Sequence, residues 1–406
     1  MLRILALVSI PLLGYEILTV VFAILAPLVA NPNAIQTDFH YYYEAARRFS
    51  DDASRLYLAS DDVIAGFTYP PPAIVPFLLL SKLPLGWALL LMTAASYGAI
   101  ILSMQLWWGY LRRNGIEADG RTRIAVLLIV LASGPVYMNS VFGQVNAFVL
   151  LSAVAFVTRA VSSPAIAGAA LAAGTWLKIY PIFLIIIGVM DLRTVRAIAI
   201  GAVAAIAIAV ALLPVVPLPV YEMFAMFLPG RAGITALHVT NQSLMGFFER
   251  FRYPPDQYLN WTGHEAVTVT SPVRAVSMII ITALIMRHWW NSLASRTLSP
   301  AIAASMIALI GVIAPLGWGH AYVMVLPLVM LLLIAMPNVS RPLAITIVLC
   351  VVALMIPAGR HLPIDAAPAW LQNVVYSRYL IATVTLIVIS SVSVGRTTKS
   401  MHVASA

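Results

Sequence analysis

Residues 4–30 read ILALVSIPLLGYEILTVVFAILAPLVA, directly after Arg3, with Glu16 as their single acidic or basic residue. The run is about twice as long as the apolar core of a secretory signal. It is long enough to cross a bilayer, for which roughly 20 apolar residues suffice. It therefore reads as a retained first transmembrane helix, and similar runs recur to the end of the chain. Hydrophobic residues make up 62% of the 406 residues and charged residues only 10%. A soluble domain carries about 25% charged residues, so this chain cannot cover a water-facing surface and lipid must be its main solvent. The formal charge of +9 is spread over arginines in short loops. That is how membrane topology is encoded, and no nucleic-acid partner is expected. The single cysteine, Cys350, lies in ITIVLCVVALMIP (345–357), so no internal disulfide is possible.

Working outward from the first helix, Arg3 places the N-terminus in the cytoplasm. A polar, aromatic-rich stretch follows at 31–68, and then YPPPAIVPFLLLSKLP (69–84). The latter is proline-rich and too short to span, so it reads as re-entrant or interfacial. Further spans are expected at 86–111, 123–138, 145–160, 164–177, 181–191, 197–217, 272–291, 300–316, 320–336, 342–357 and 378–395. Arg112, Arg113, Arg121 and Arg123 mark the loop at about 112–123 as cytoplasmic. Arg159, Arg193, Arg196, Arg287, Arg296 and Arg341 mark later inner loops. The expectation is an all-α integral membrane protein: one domain over 1–406, about twelve spans, short outer interfacial helices, and both termini inside. Its outer loops would be about 31–85, 218–271 and 358–377.

With that topology, five polar motifs fall at outer helix ends: TDFHYYYEAARR around Asp38, GQVN (143–146), LKIYP (177–181), NQSLMGFFERF (241–251) and GWGH (317–320). Ionisable groups beside hydrocarbon are costly and mark functional sites by default. Asp38 is a general base, a metal ligand or the cap of a helix beginning at Phe39. Lys178 interrupts an apolar run and either meets an anion or snorkels to the interface. His320 is either part of a site or a satisfied helix-end histidine. Gln144 and Asn146 are either site residues or interhelical hydrogen-bond formers. Arg250 offers a fork of donors suited to a phosphate or is an ordinary loop residue.

Only one carboxylate stands out. Hydrolysis of a glycoside needs two, because its alkoxide leaving group must be protonated. Transfer from a sugar phosphate needs one base, because phosphate leaves as a stable anion that cationic groups can stabilise. No Asp-x-Asp motif, zinc spacing or phosphate-binding glycine loop is present. Asp51–Asp52 and Asp61–Asp62 read as solvated pairs. No metal or cofactor is expected, and a lipid-linked sugar is a more natural donor than a soluble nucleotide sugar. A transporter or flippase of a lipid-linked saccharide is the competing reading. The placement of the marked residues toward one face favours an enzyme.

The order D-F-x-x-Y-Y-x-A-A (38–46), F-x-Y-P-P (67–71), G-Q-x-N (143–146), L-K-x-x-P (177–181), N-Q-S (241–243) and W-x-H (318–320) resembles glycosyltransferase family 87. That group includes polyprenol-phosphate-mannose-dependent α-1,2-mannosyltransferases. The resemblance implies a GT-C fold in the bacterial plasma membrane, with the site toward the periplasm. It implies inverting transfer of a hexose, mannose first, from a polyprenyl-phosphate donor to a lipid or glycan acceptor. Asp38 matches the position of the catalytic base. His320, Lys178 and Arg250 would bind the donor phosphate. His40, Tyr42, Tyr69, Gln144, Asn146, Tyr180, Asn241, Gln242 and Trp318 would contact substrate.

Overall fold

The computed structural model describes residues 1–29, 37–57, 67–260, 266–295 and 298–403. Part of the expected 31–85 loop, the Asp61–Asp62 pair and Arg296 lie outside the described residues. Helix α1 (Leu2–Val29) is the long apolar run. Helix α2 (Asp38–Asp51) is amphipathic: Phe39, Tyr42, Tyr43, Ala46 and Phe49 repeat at helical spacing and are buried. The proline-rich segment forms a 3-10 turn at Pro71–Ala73 and the short helix α3 (Ile74–Leu80). Then come α4 (Leu85–Arg113), α5 (Gly120–Leu131) and α6 (Gly134–Val141), the last two bent by 50° at their junction.

Helices α7 (Asn146–Arg159) and α8 (Pro164–Leu177) pack side by side, and α8 also packs on α10 (Val195–Ala211). The α8–α10 contact depends on small residues. A Cβ on Gly168 would stand 2.7 Å from the backbone nitrogen of Gly201, so the two backbones approach as closely as only glycine permits. Between them a 3-10 turn (Tyr180–Ile186) leads into the single turn α9 (Ile187–Met190).

The stretch expected as a long loop at 218–271 is folded. It holds α11 (Leu218–Ala232), β1 (Ile234–Ala236), α12 (Leu244–Arg250), α13 (Pro255–Leu259) and β2 (Ala266–Thr268). Strands β1 and β2 pair antiparallel, with Thr235 opposite Val267. The chain continues through α14 (Ser271–Ser295), α15 (Pro300–Ile313), α16 (Leu326–Ala335), α17 (Arg341–Met355), α18 (Ala369–Tyr376) and α19 (Arg378–Val403). The protein is an all-α polytopic membrane protein.

The count of twelve spans is not what the helices give. Among the described residues, five helices are long and apolar enough to cross a membrane, or seven if the bent pairs α5–α6 and α18–α19 each count as one span. The expected spans at 145–160, 164–177, 181–191, 300–316 and 342–357 are apolar helices of 10–17 residues. At 1.5 Å per residue these are shorter than the roughly 30 Å hydrocarbon core. Helix α15 is apolar because it is enclosed by protein, being buried from Ala301 to Val312. By contrast α10 turns Val203, Ile206 and Val210 outward, each at least 60% exposed, as a lipid-facing helix does.

Candidate active site

The site is assembled around the turn between α6 and α7. Gly143 adopts φ +61°, a left-handed conformation open to glycine at no steric cost. A Cβ there would also lie 2.6 Å from the Phe39 Cβ. The turn thus presses against the start of α2, and the Phe39 N–H donates to the Phe142 carbonyl at 3.0 Å. Asp38 is held beside Gln144 as a result. Its side chain does not cap α2: the helix begins at Asp38 itself, behind Thr37.

Gln144 is 2% exposed and its amide is fully used. Nε2 donates to Asp38 Oδ2 and, at 2.8 Å, to the Tyr42 hydroxyl, while Oε1 accepts from the Tyr69 hydroxyl at 2.9 Å. The two tyrosine hydroxyls are 2.7 Å apart. A carboxylate can only accept, so the amide nitrogen must face Asp38. Donation then runs round a closed ring, from Gln144 to Tyr42, to Tyr69 and back to Gln144. Burial holds both phenols above their usual range, so they remain neutral members of this ring.

Asn146, two residues on, opens α7 and makes a second fixed set of contacts. Its Oδ1 accepts from Lys178 Nζ at 2.9 Å, and its Nδ2 stands 2.8 Å from His320 Nδ1. An ammonium only donates, so Oδ1 faces Lys178 and Nδ2 faces the imidazole. His320 Nδ1 is therefore the acceptor, and the ring proton sits on Nε2, 3.6 Å from Asp38 Oδ2. Lys178 follows the last residue of α8 with extended backbone, where Pro181 prevents the helix from continuing. Its ammonium lies over the rings of Tyr69 and Tyr180, 5.4 and 5.8 Å from their centroids. His320 is held by a backbone pairing: Gln242 N–H donates to the Gly317 carbonyl and Gly319 N–H to the Thr240 carbonyl.

Most of these groups face a cavity of about 1010 Å³, while Asn146, 1% exposed, stands behind its wall. Asp38, Tyr42, Tyr69, Gln144, Lys178, Tyr180, Trp318 and His320 line it, with an apolar wall from Phe224, Phe227 and Leu228 of α11. The Asp38 side chain is 37% exposed and that of His320 only 5%, so the carboxylate is the member of the pair that a ligand can reach. Two cations missed in the sequence also line the cavity, Arg231 and Arg274. They sit in no recognisable motif, and their only signal was charge close to apolar helices.

Four of the nominated residues stand elsewhere. Arg250, proposed for a phosphate, is 1% exposed. Its guanidinium donates to the Asn241 carbonyl (2.9 Å), Asn373 Oδ1 (2.8 Å), Ser377 Oγ (2.7 Å) and the Leu237 carbonyl (3.3 Å). Asn241 and Gln242 are fully buried and bond to backbone: Asn241 to Ala236, and Gln242 to Val239, Tyr376 and Tyr379. Arg250 and Gln242 tie α12 and the loop before it to α18 and α19, Asn241 braces that loop from within, and none of the three lines the cavity. His40 does not line it either; its ring packs edge-on to Tyr41. Among the described residues, no three His, Cys, Asp or Glu side chains gather as a metal site would require.

The family model for glycosyltransferase family 87 matches residues 67–315, more than half of the chain. Gln144, Asn146 and Lys178 fall inside that stretch, while Asp38 and His320 flank it. No curated protein matches.

Proposed function

The chain belongs to glycosyltransferase family 87, and from that membership we propose that Asp38 is the base of an inverting sugar transfer from a polyprenyl-phosphate donor. The protein is a membrane glycosyltransferase; the donor, the sugar and the roles of the residues are this proposal. The observation that carries it is the charge pattern of the cavity. Among the described residues Asp38 is its one carboxylate, facing the cations Lys178, Arg231 and Arg274. One base and several cations suit a reaction that removes a proton from a neutral acceptor and releases an anion.

In this reading the acceptor hydroxyl donates to Asp38 and its oxygen attacks the anomeric carbon. The new C–O bond forms as the bond to phosphate oxygen breaks. The electron pair stays on the phosphate and the proton passes to Asp38. A single displacement inverts the anomeric carbon. Gln144 holds the carboxylate in place, and the Nε2–H of His320 faces it. Lys178 has two protons left after its bond to Asn146, and these stabilise the charge growing on the leaving phosphate. Arg231 and Arg274 complete the cationic wall, a part first assigned to Arg250. The donor is a polyprenyl-phosphate hexose, mannose first, the acceptor is a lipid or glycan, and the site faces the periplasm.

The test is transfer of radiolabelled mannose from polyprenyl phosphate to a membrane lipid extract by the protein in nanodiscs. Asp38→Asn should lower turnover by about 10²–10⁴-fold and leave the fold intact. Near-normal transfer by that variant, or no transfer from any polyprenyl-phosphate hexose, would overturn the reading.

A further inference from the structure

Beside the Asp38 cavity lies a second one of about 1030 Å³, between α1, α6, α17 and the turn at Pro357–Arg360. Its wall is largely apolar, with Leu5, Val8, Leu12, Val141 and Val352 among its residues. Along α1, Ile4, Val8 and Tyr15 are each more than half exposed, so the groove opens toward the lipid that surrounds a membrane protein. Glu16 does not fit these surroundings. It lines the groove and is 2% exposed, yet neither carboxyl oxygen has a hydrogen-bond partner among the described residues. A buried carboxyl without a partner is costly, and within a membrane helix it marks a binding site by default. Met138, Phe142 and Thr240 line both cavities and form the partition between the groove and Asp38.

We propose that this groove seats the acceptor, an uncharged lipid whose head carries hydroxyl groups. Its apolar chain lies along α1 and α17. One head hydroxyl donates to Glu16, and a second passes the Met138–Phe142 partition to reach Asp38. The inference rests on the transferase reading above and adds the surface that delivers the acceptor. Charge separates the two lipid substrates. A donor phosphate is matched by Lys178, Arg231 and Arg274 in the Asp38 cavity, whereas the groove around Glu16 offers it no buried lysine or arginine among the described residues. A hydroxylated head supplies the proton donor that Glu16 lacks. Among the described residues the one arginine on the groove wall, Arg360, is exposed and forms no ion pair with Glu16.

Binding is tested without catalysis, using Asp38→Asn protein in nanodiscs and an alkyl glucoside carrying a diazirine in its chain. Crosslinks should map to residues 4–16 and 348–356 and be displaced by unlabelled alkyl glucoside. Glu16→Leu, which removes an unpartnered acid and so keeps the fold, should raise the competitor concentration required about tenfold. Equal labelling by a diazirine alkane without hydroxyls, or displacement by polyprenyl phosphate instead, overturns the assignment. A second arm measures transfer. Glu16→Leu and, separately, Leu12→Trp should raise the acceptor concentration for half-maximal rate about tenfold, with less than a twofold change for the donor. An unchanged acceptor requirement in both variants overturns the proposal. If the unmodified protein transfers no sugar, the transferase reading fails, while the photolabelling still decides whether the groove binds a hydroxylated lipid.

Discussion

Replacing Asn146 by Asp exchanges one NH₂ for an oxygen and leaves the shape of the side chain unchanged. The carboxylate still accepts from Lys178, now 2.9 Å from the Asn146 oxygen. On the other side the pattern inverts. His320 Nδ1, 2.8 Å from the amide nitrogen, would face an acceptor and take the ring proton. Nε2 would then turn a lone pair toward Asp38 Oδ2, 3.6 Å away. An N–H facing the carboxylate at 3.6 Å is exchanged for a lone pair left without a partner, at about 1–3 kcal/mol, or roughly 5- to 150-fold in rate if it is felt in the transition state. Folding should be nearly unaffected, because the new carboxylate keeps the bond to Lys178 and gains one from His320. The assay is sugar transfer per folded molecule, read at saturating donor because the added charge beside Lys178 weakens phosphate binding. Asn146→Leu, which deletes both bonds, provides the comparison and should lose melting temperature as well. Turnover of Asn146→Asp within twofold of the unmodified protein would refute the idea that Asn146 sets the His320 tautomer.

Lys178→Met should lower turnover at saturating donor by about 10²–10³-fold, with little change in melting temperature; a change confined to the donor concentration needed would show that the ammonium binds the ground state alone. Arg250→Met should cost about 3 kcal/mol or more of stability, because four buried acceptors lose their donor; it should reduce the yield of folded protein, and normal stability with a raised donor requirement would restore Arg250 to the phosphate site. In a Cys350→Ala background, cysteines at Ser54 and Gln257 should react with an impermeant maleimide from outside and one at Gly120 only from the cytoplasm; outside labelling at 120 would invert the orientation.

The groups that meet in the cavity were readable because each breaks a rule of its surroundings. Lys178 and His320 interrupt apolar runs, and Asp38 sits next to one. Glycine and proline beside them signal the breaks that expose them. Asn241, Gln242 and Arg250 looked the same in sequence and turned out to bond the backbone of a folded loop. Polar residues in a short motif do not reveal whether their partners are carbonyls or a ligand. Arg231 and Arg274 were not found because a cavity wall can be recruited from segments with no motif. Twelve apolar runs in the sequence correspond to only five to seven helices of spanning length among the described residues, for a related reason. An apolar helix enclosed by protein, such as α15, and one facing lipid, such as α10, obey the same hydropathy, and only the fold tells them apart. Helix α1, by contrast, was read within two residues at its start and one at its end, since nothing but lipid and one packed face acts on it.

Gln144 and Asn146 flank a single residue, Val145, at the start of α7, yet they hold different halves of the site. The first grips Asp38 and the second grips Lys178 and His320. The head of α7 is thus the common pivot of base, imidazole and ammonium. A tilt of that helix carries all three together and leaves their spacing intact, whereas a change in the four-residue turn from Phe142 to Val145 alters every distance at once. Insertions there should be tolerated far less well than tilts of the bundle, and variation in this enzyme should accumulate on the opposite wall, along α11, where the cavity can change its width without disturbing the chemistry.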